Sequence, residues 1–490
     1  MRWWLWFAIG CGSSSPLAMP DAAVPDAAVP DAAVAGIVPE CHAAPYSVFQ
    51  TGDAFGTTAT KGSLAGWDAD GRWFLTGVDM GGVSSFLFAG NGTTVDHLDG
   101  GIRTDDELFW RGAENVNGTK MLVAKRVTDR QPDGTFRAQR AVCGDTCVVC
   151  TAVMTRATHN AGEGEGSAIS LVGQLNDFSW GPGYTFNVRV VDTTAYLIRQ
   201  DGLHVIDVAD PAHPVEQGHY YRSGGYSNDV KLVTAGAKRY AIIADYVVDV
   251  VDVTDGAHPQ LAATIKESAH TVAVEQRDGK SYAYFGNYDA NCPIYDVSDP
   301  LHPAKLGSYK TDGQLVHDLS VDHGIAYLNA WDAGFLVVDY TVPTAPALVK
   351  RWGPTPTLTS HSNWTTTIGG RHIALHGEEA YGAKLDLVDL DTMQPFASWK
   401  TRDYVSIHNL MAFGSKAYFT YYQDGVRVLD LSDPTQPKQL GYYNTWDPQA
   451  DYTTSDFFEG AVGLDVDLTR KLIFVADSPR GLLILRDDTP

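Results

Sequence analysis

Four histidines, His270, His317, His361 and His408, recur at steps of 47, 44 and 47 residues, and each opens a short apolar run such as "VSIHNLMAF" at 405–413. Imidazole titrates near neutral pH and is the commonest protein ligand of late transition metals. Four of them in equivalent places could therefore hold a metal, pass protons or grip a polar ligand. Carboxylates recur at a second position: Asp245, Asp289, Asp332, the Glu378–Glu379 pair, Asp424 and Asp477. Imidazoles encircled by carboxylates are the ingredients of a metal site whose acids orient its ligands. They equally make a pH-sensitive hydrogen-bond ring, or a mouth for a cationic or polar ligand. A plainer alternative is that every repeat caps its strand with some hydrogen-bonding residue, and Asn187, Asp229 and Glu459 then hold the same place in other units.

The richest polar stretches are His361-Ser362-Asn363, His376 to Glu379, His408-Asn409 and Tyr421 to Asp424, with Glu459 beyond them. If a cofactor binds, the expectation is a divalent transition metal. His361 and His408 would be ligands and Glu379 a third ligand or general base. Asn363 and Asn409 would orient bound water with Asp424 behind them, and His270, His317 and Glu459 complete the candidates. Such a cluster is also what a metal-dependent oxidoreductase or hydrolase would use. No Gly-x-Ser-x-Gly elbow, Walker loop, dinucleotide fingerprint or His-Glu-x-x-His occurs, which weakens common hydrolase and nucleotide-binding chemistry. A second histidine column, His213, His258 and His302, lies in an Asp-x-x-His-Pro turn; later units put Ala345, Gln394 and Gln436 there, so surface packing explains it.

The elements that position these residues come from an internal repeat. Asp207, Asp252, Asp296, Asp339, Asp389 and Asp430 end matching segments at steps of 45, 44, 43, 50 and 41, as in "GLHVIDVADPAHPVEQGHY" and "GVRVLDLSDPTQPKQLGYY". A period in this range marks a propeller blade or a helical repeat. Each unit splits into short runs separated by Gly, Asp and Pro, which indicates strands, and four runs per unit make a four-stranded blade. These units resemble LVIVD repeats, with Val-Ile-Asp at 205–207 and Val-Val-Asp at 337–339, over about residues 167 to 488. The longer stretches are also similar to choice-of-anchor type bacterial surface proteins. The resemblance implies an all-β fold, a β-propeller at the cell surface, with no settled activity, and counting the units makes it seven-bladed. By analogy with other propellers, the histidine column rings the mouth of the central channel. The seventh unit supplies three strands, and "AISLVGQL" at 168–175 is expected to close the ring against residues 481–486.

Before the propeller (167–490) the sequence predicts three segments. Residues 1–11, "MRWWLWFAIGC", have one positive charge and a short apolar run, an export signal and not a spanning helix. Ala8-Ile9-Gly10-Cys11 resembles the bacterial lipobox, which implies lipid attachment at Cys11 and anchoring at the outer membrane or cell surface. Residues 12–40 contain "PDAAVPDAAVPDAAV", a Pro-rich semi-extended spacer, and 41–166 read as a small β-rich domain. In an oxidising compartment Cys41, Cys143, Cys147 and Cys150 are disulfide candidates, pairing unassigned, with Cys292 left over in a buried strand. Zinc held by the 143–150 cysteines with His42 or His159 is the alternative. With 36 Lys and Arg against 59 Asp and Glu, the formal charge of −23 opposes nucleic acid as a partner. The expected partners are the membrane, through the lipid, and an unidentified protein or small molecule.

Overall fold

The structure is a computed structural model that describes residues 37–490 apart from 79, 81–82, 117–118, 177–179, 181–182, 223 and 451–457. The signal, Cys11 and most of the spacer lie outside the described residues. The chain divides into two compact units: one runs to Thr158 and includes Pro448–Asp451, the other comprises His159–Asp447 and Tyr452–Pro490.

The second unit is the propeller, and its blades follow from the repeat. The first blade is Thr185–Val191, Thr194–Arg199, Gly202–Asp207 and Val215–Tyr221, each strand antiparallel to the next. The other six sheets have the same order, their first strands being Asp229–Ala235, Ala269–Arg277, Asp318–Asp322, Ser360–Ile368, Leu410–Phe413 and Ala461–Asp467. First strands of successive blades contact one another, so they form the inner ring. Third strands such as Gly202–Asp207 are apolar without alternation because both faces are covered. Leu203 and Val205 pack on one side against Val230, Ile243 and Val251 of the second blade.

The recurring aspartates have a local cause. Carboxylates of Asp207, Asp252, Asp296, Asp339, Asp389 and Asp430 each accept the backbone N–H two residues on, turning the chain from the third strand toward the fourth. In the turn itself His213, His258 and His302 are exposed, and each ring Nδ1 lies 2.8–2.9 Å from Asp210, Asp255 or Asp299.

The seventh blade takes its fourth strand from the other end of the unit. Ile169–Leu175 pairs antiparallel with Gly481–Asp487, from Ile169 opposite Asp487 to Leu175 opposite Leu482. The expected contact at 481–486 is found one residue further along. This pairing joins two edges that would otherwise stand open. Gly166–Ser167 just before it adds a short fifth strand to the sixth blade, opposite Tyr443 and Tyr442, which the repeat does not predict.

The first unit is a ten-stranded antiparallel sheet around Trp67, Trp73, Phe86, Trp110 and Phe136. Glu40–Ala44 pairs with Cys147–Arg156 in a register that sets Cys41 opposite Cys150, and these form a disulfide. Cys143 and Cys147 face each other across a hairpin and form the second. All four thiols are thereby consumed, which removes the zinc alternative. Cys292 is free and buried in the strand Asn291–Asp296.

Candidate functional site at the channel mouth

The first strands all begin at one end of the ring, and register fixes which residues meet there. A β-bulge lies between Thr185 and Asn187, between Ala269 and Thr271, between Ser360 and Ser362, and between Ala461 and Gly463. The skipped residues are Phe186, His270, His361 and Val462. In the remaining blades the matching N–H groups belong to Asn228, His317 and His408, which donate to Ala244, Asn329 and Thr420. The column is therefore Phe186, Asn228, His270, His317, His361, His408 and Val462. Sequence alignment places Asn187, Asp229 and Glu459 in it, off by one residue in two blades and by three in the seventh. The bulge adds a residue in the first blade, but the second blade has none and is misplaced too, while the bulged third and fifth blades are placed correctly, so the apolar pattern tolerates a one-residue error with or without a bulge.

The four histidines form a contiguous stack. Ring centroids of His270 and His317 are 3.9 Å apart, those of His317 and His361 4.0 Å, and those of His361 and His408 4.4 Å. Glu379, just past the second strand of the fifth blade (Arg371–Glu378), points its carboxylate at three of them. Its Oε2 is 3.7 Å from His361 Nε2 and 4.0 Å from His317 Nε2, and its Oε1 is 3.8 Å from His408 Nε2. The Tyr422 hydroxyl donates to Glu379 Oε1. Trp331 stacks on His317 at 5.0 Å.

The orientation of two rings is set from behind. His270 Nδ1 lies 2.9 Å from the His317 carbonyl, and His408 Nδ1 lies 2.7 Å from the Val462 carbonyl. A carbonyl can only accept, so Nδ1 carries the proton and Nε2 keeps its lone pair. Burial pushes His270 and His408 down to about 4. It drives His317 and His361 well below the usual range, helped by the neighbouring imidazoles. All four are neutral at pH 7.

Other sequence candidates go elsewhere. Asn363 donates to the Tyr327 carbonyl at 2.9 Å and bonds Asn329 and Ser320, tying the fifth blade to the fourth. Asn409 uses its main chain, donating to Thr420 Oγ1 and accepting from Thr420 N, each at 2.9 Å. Asp424 pairs with Arg402. Glu459 is buried and accepts from the Trp446 indole at 2.9 Å. One residue beyond the column lies a second polar layer: Asn187 donates to Asp229 at 2.7 Å, and Thr271 bridges Asp229 and Asp318 at 3.0 Å each. There burial and Asp229 push Asp318 up to about 6.

Sequence reasoning missed the aromatic side chains that extend the stack. Tyr288 lies 5.3 Å from His270 and continues to Tyr246 and Tyr226, at 5.9 and 6.0 Å, then to Phe186 at 5.3 Å. Tyr422 follows His408 at 4.8 Å, and Phe458 follows Tyr422 at 5.9 Å. The signal was available: Tyr246, Tyr288 and Trp331 each adjoin an aligned acid, Asp245, Asp289 or Asp332, and Tyr422 is two before Asp424.

A family model for the LVIVD repeat matches residues 182–221, 269–311, 314–352 and 409–445, which span the first, third, fourth and sixth blades. The chain carries LVIVD repeats. Blades two, five and seven of this LVIVD-repeat propeller have the same strand order without a match of their own. Solved structures similar to it include Raptor of Chaetomium thermophilum, at 13% identity and a TM-score of 0.49, covering 65% of this chain and 29% of that one. U3-55K is similar at 10% identity and a TM-score of 0.47, over 65% of this chain and 98% of that one. The WD40 propeller domain of Doa1 follows at 12% identity and 0.48, over 65% and 96%. No curated protein matches the chain.

Proposed function

We propose that the protein is an exported, lipid-anchored binding module whose propeller takes its ligand at the channel mouth. The observation that carries this is the unbroken arc of aromatic and imidazole rings running from Phe186 through the four histidines to Phe458, one blade after another. Rings tilted against one another offer faces and lone pairs to a guest, and Tyr246 at 41% exposure is accessible from solvent. The lipobox-like Cys11 and the Pro-rich repeat behind it support a domain held off a membrane, and the charge of −23 argues against nucleic acid as the guest.

Two measurements test it. Soluble metabolites and glycans are screened for a rise in melting temperature, and each hit is repeated on Tyr246→Ala/Tyr288→Ala and on His213→Ala/His258→Ala. Hits are expected to vanish with the mouth variant and persist with the turn variant; the opposite pattern refutes the assignment. Labelling with an alkynyl fatty acid is expected to mark the wild type and not Cys11→Ser, and equal labelling refutes the anchor.

A further inference from the structure

We propose that His317, His361, His408 and Glu379 form a binding site for one late first-row divalent transition ion, of the zinc, cobalt or copper class. The inference rests on the mouth being the binding site and names what it holds there.

Hydrogen bonding is what separates a ligand set from a ring of structural caps. A cap is useful because its polar atoms are satisfied. Among the described residues His361 Nε2 has no hydrogen-bond partner although its side chain is only 2% exposed, whereas the His317 and His361 rings also lean on the backbone of His361 and His408, respectively, in the next blade. An unpaired polar atom in such a place costs about 1–3 kcal/mol. An unpaired Nε2 that faces a buried carboxylate is not what capping alone produces. A cation accepting Nε2 lone pairs uses, at His361, what the fold otherwise leaves idle.

Geometry agrees. Zinc-class ions sit about 2.0–2.2 Å from imidazole nitrogen and carboxylate oxygen, so neighbouring donors of a tetrahedral site lie about 3.4 Å apart. The Glu379 oxygens stand 3.7, 4.0 and 3.8 Å from the three Nε2 atoms. Ligand atoms of His317, His361 and Glu379 all fall within 4.8 Å of one another. Side-chain rotations that move the donors by about an ångström close the set, with His317, His361 and Glu379 as its base and His408, which lies outside that group, swinging in as the fourth donor. His408 is the most accessible of the three imidazoles at 14% side-chain exposure, so its side is the entry path. The donor types select the ion: neutral imidazole nitrogen suits zinc, copper, cobalt and nickel, whereas calcium and magnesium require oxygen.

Supporting contacts are also in place. Val462 O fixes the His408 tautomer with Nε2 unprotonated, Tyr422 steers one carboxylate oxygen, and Trp331 covers the far face of His317.

The test uses the full chain without a histidine tag, stripped with chelator and titrated with Co2+, Zn2+ or Cu2+ alone. Metal content after gel filtration and the visible bands of bound Co2+ are read. One ion per chain with four-coordinate Co2+ absorption is expected, weakened at least about 100-fold in His361→Ala and in the near-isosteric Glu379→Gln. The variant His213→Ala/His258→Ala/His302→Ala should bind like wild type. Circular dichroism confirms that the variants are folded, and Glu379→Gln decides the matter if His361→Ala is not. Substoichiometric metal in the wild type, or equal affinity in wild type and Glu379→Gln, overturns the inference. That result leaves the mouth as a binding site if the tyrosine variants still lose an organic ligand, so the two proposals fail separately.

Discussion

Replacing His376 by Phe removes an imidazole that is fully enclosed in the fifth blade. Its ring lies between Phe335 and Trp352, at 5.4 and 5.0 Å, and its Nε2 is 2.9 Å from Ser360 Oγ. Burial pushes it from 6.5 down to about 3. Because the folded value lies below the unfolded one, the unfolded chain takes up the proton first as pH falls. Its contribution to stability is intact above about pH 6.5, declines below that, and levels off near pH 3. Linkage gives a loss of about 2 kcal/mol between pH 7 and pH 5 from this residue alone. The channel histidines titrate in the same direction, but they are present in both proteins and cancel in the difference. Phe suits the aromatic surroundings, and losing the Ser360 hydrogen bond costs about 1 kcal/mol at every pH. The assay is guanidinium unfolding of wild type and His376→Phe at pH 7, 6 and 5. The wild type is expected to lose about 2 kcal/mol more than the variant over this range. Parallel pH dependences would show that the blade interior admits the charged ring, and the reasoning about burial would be wrong.

Further outcomes follow from the same structure. The Cys41–Cys150 disulfide spans 109 residues and Cys143–Cys147 spans 4, so replacing the first pair by Ser should cost about 4–5 kcal/mol against about 2 for the second, measured by denaturant unfolding. Cys292 is buried and its thiol is pushed up to about 12, so it should resist iodoacetamide in the native protein and react on denaturation; prompt native labelling would contradict the packing. A chain starting at residue 159 should be monomeric by gel filtration, and one starting at residue 176 should aggregate, because losing Ile169–Leu175 exposes the edge of Gly481–Asp487. Gly425→Ala should destabilise the sixth blade, since the glycine has φ 69° and an added Cβ would meet the Tyr443 carbonyl at 2.1 Å.

The repeat, the blades and the closing strand were legible in the sequence because each depends on short-range chemistry. A strand buried on both faces must be a run of Val, Ile and Leu, and the aspartate after it must cap its own turn two residues on. Those demands repeat with every blade and so appear as a period. Cys292 as the leftover thiol was legible for the same reason, since it sits inside such a run. The four histidines and Glu379 were named from the repeat, but the other residues that meet them at the mouth were not legible. The apolar pattern reads the same with the column at Phe186 or Asn187 and at Asn228 or Asp229, and Asn363, adjacent in sequence to the cluster, turns away to bond Asn329 in the previous blade. The sequence by itself determined a seven-bladed propeller with histidines in its inner strands. Only the tertiary structure decided that His317, His361 and His408, from three different blades, converge on Glu379, because closing the ring brings together residues that no local rule relates.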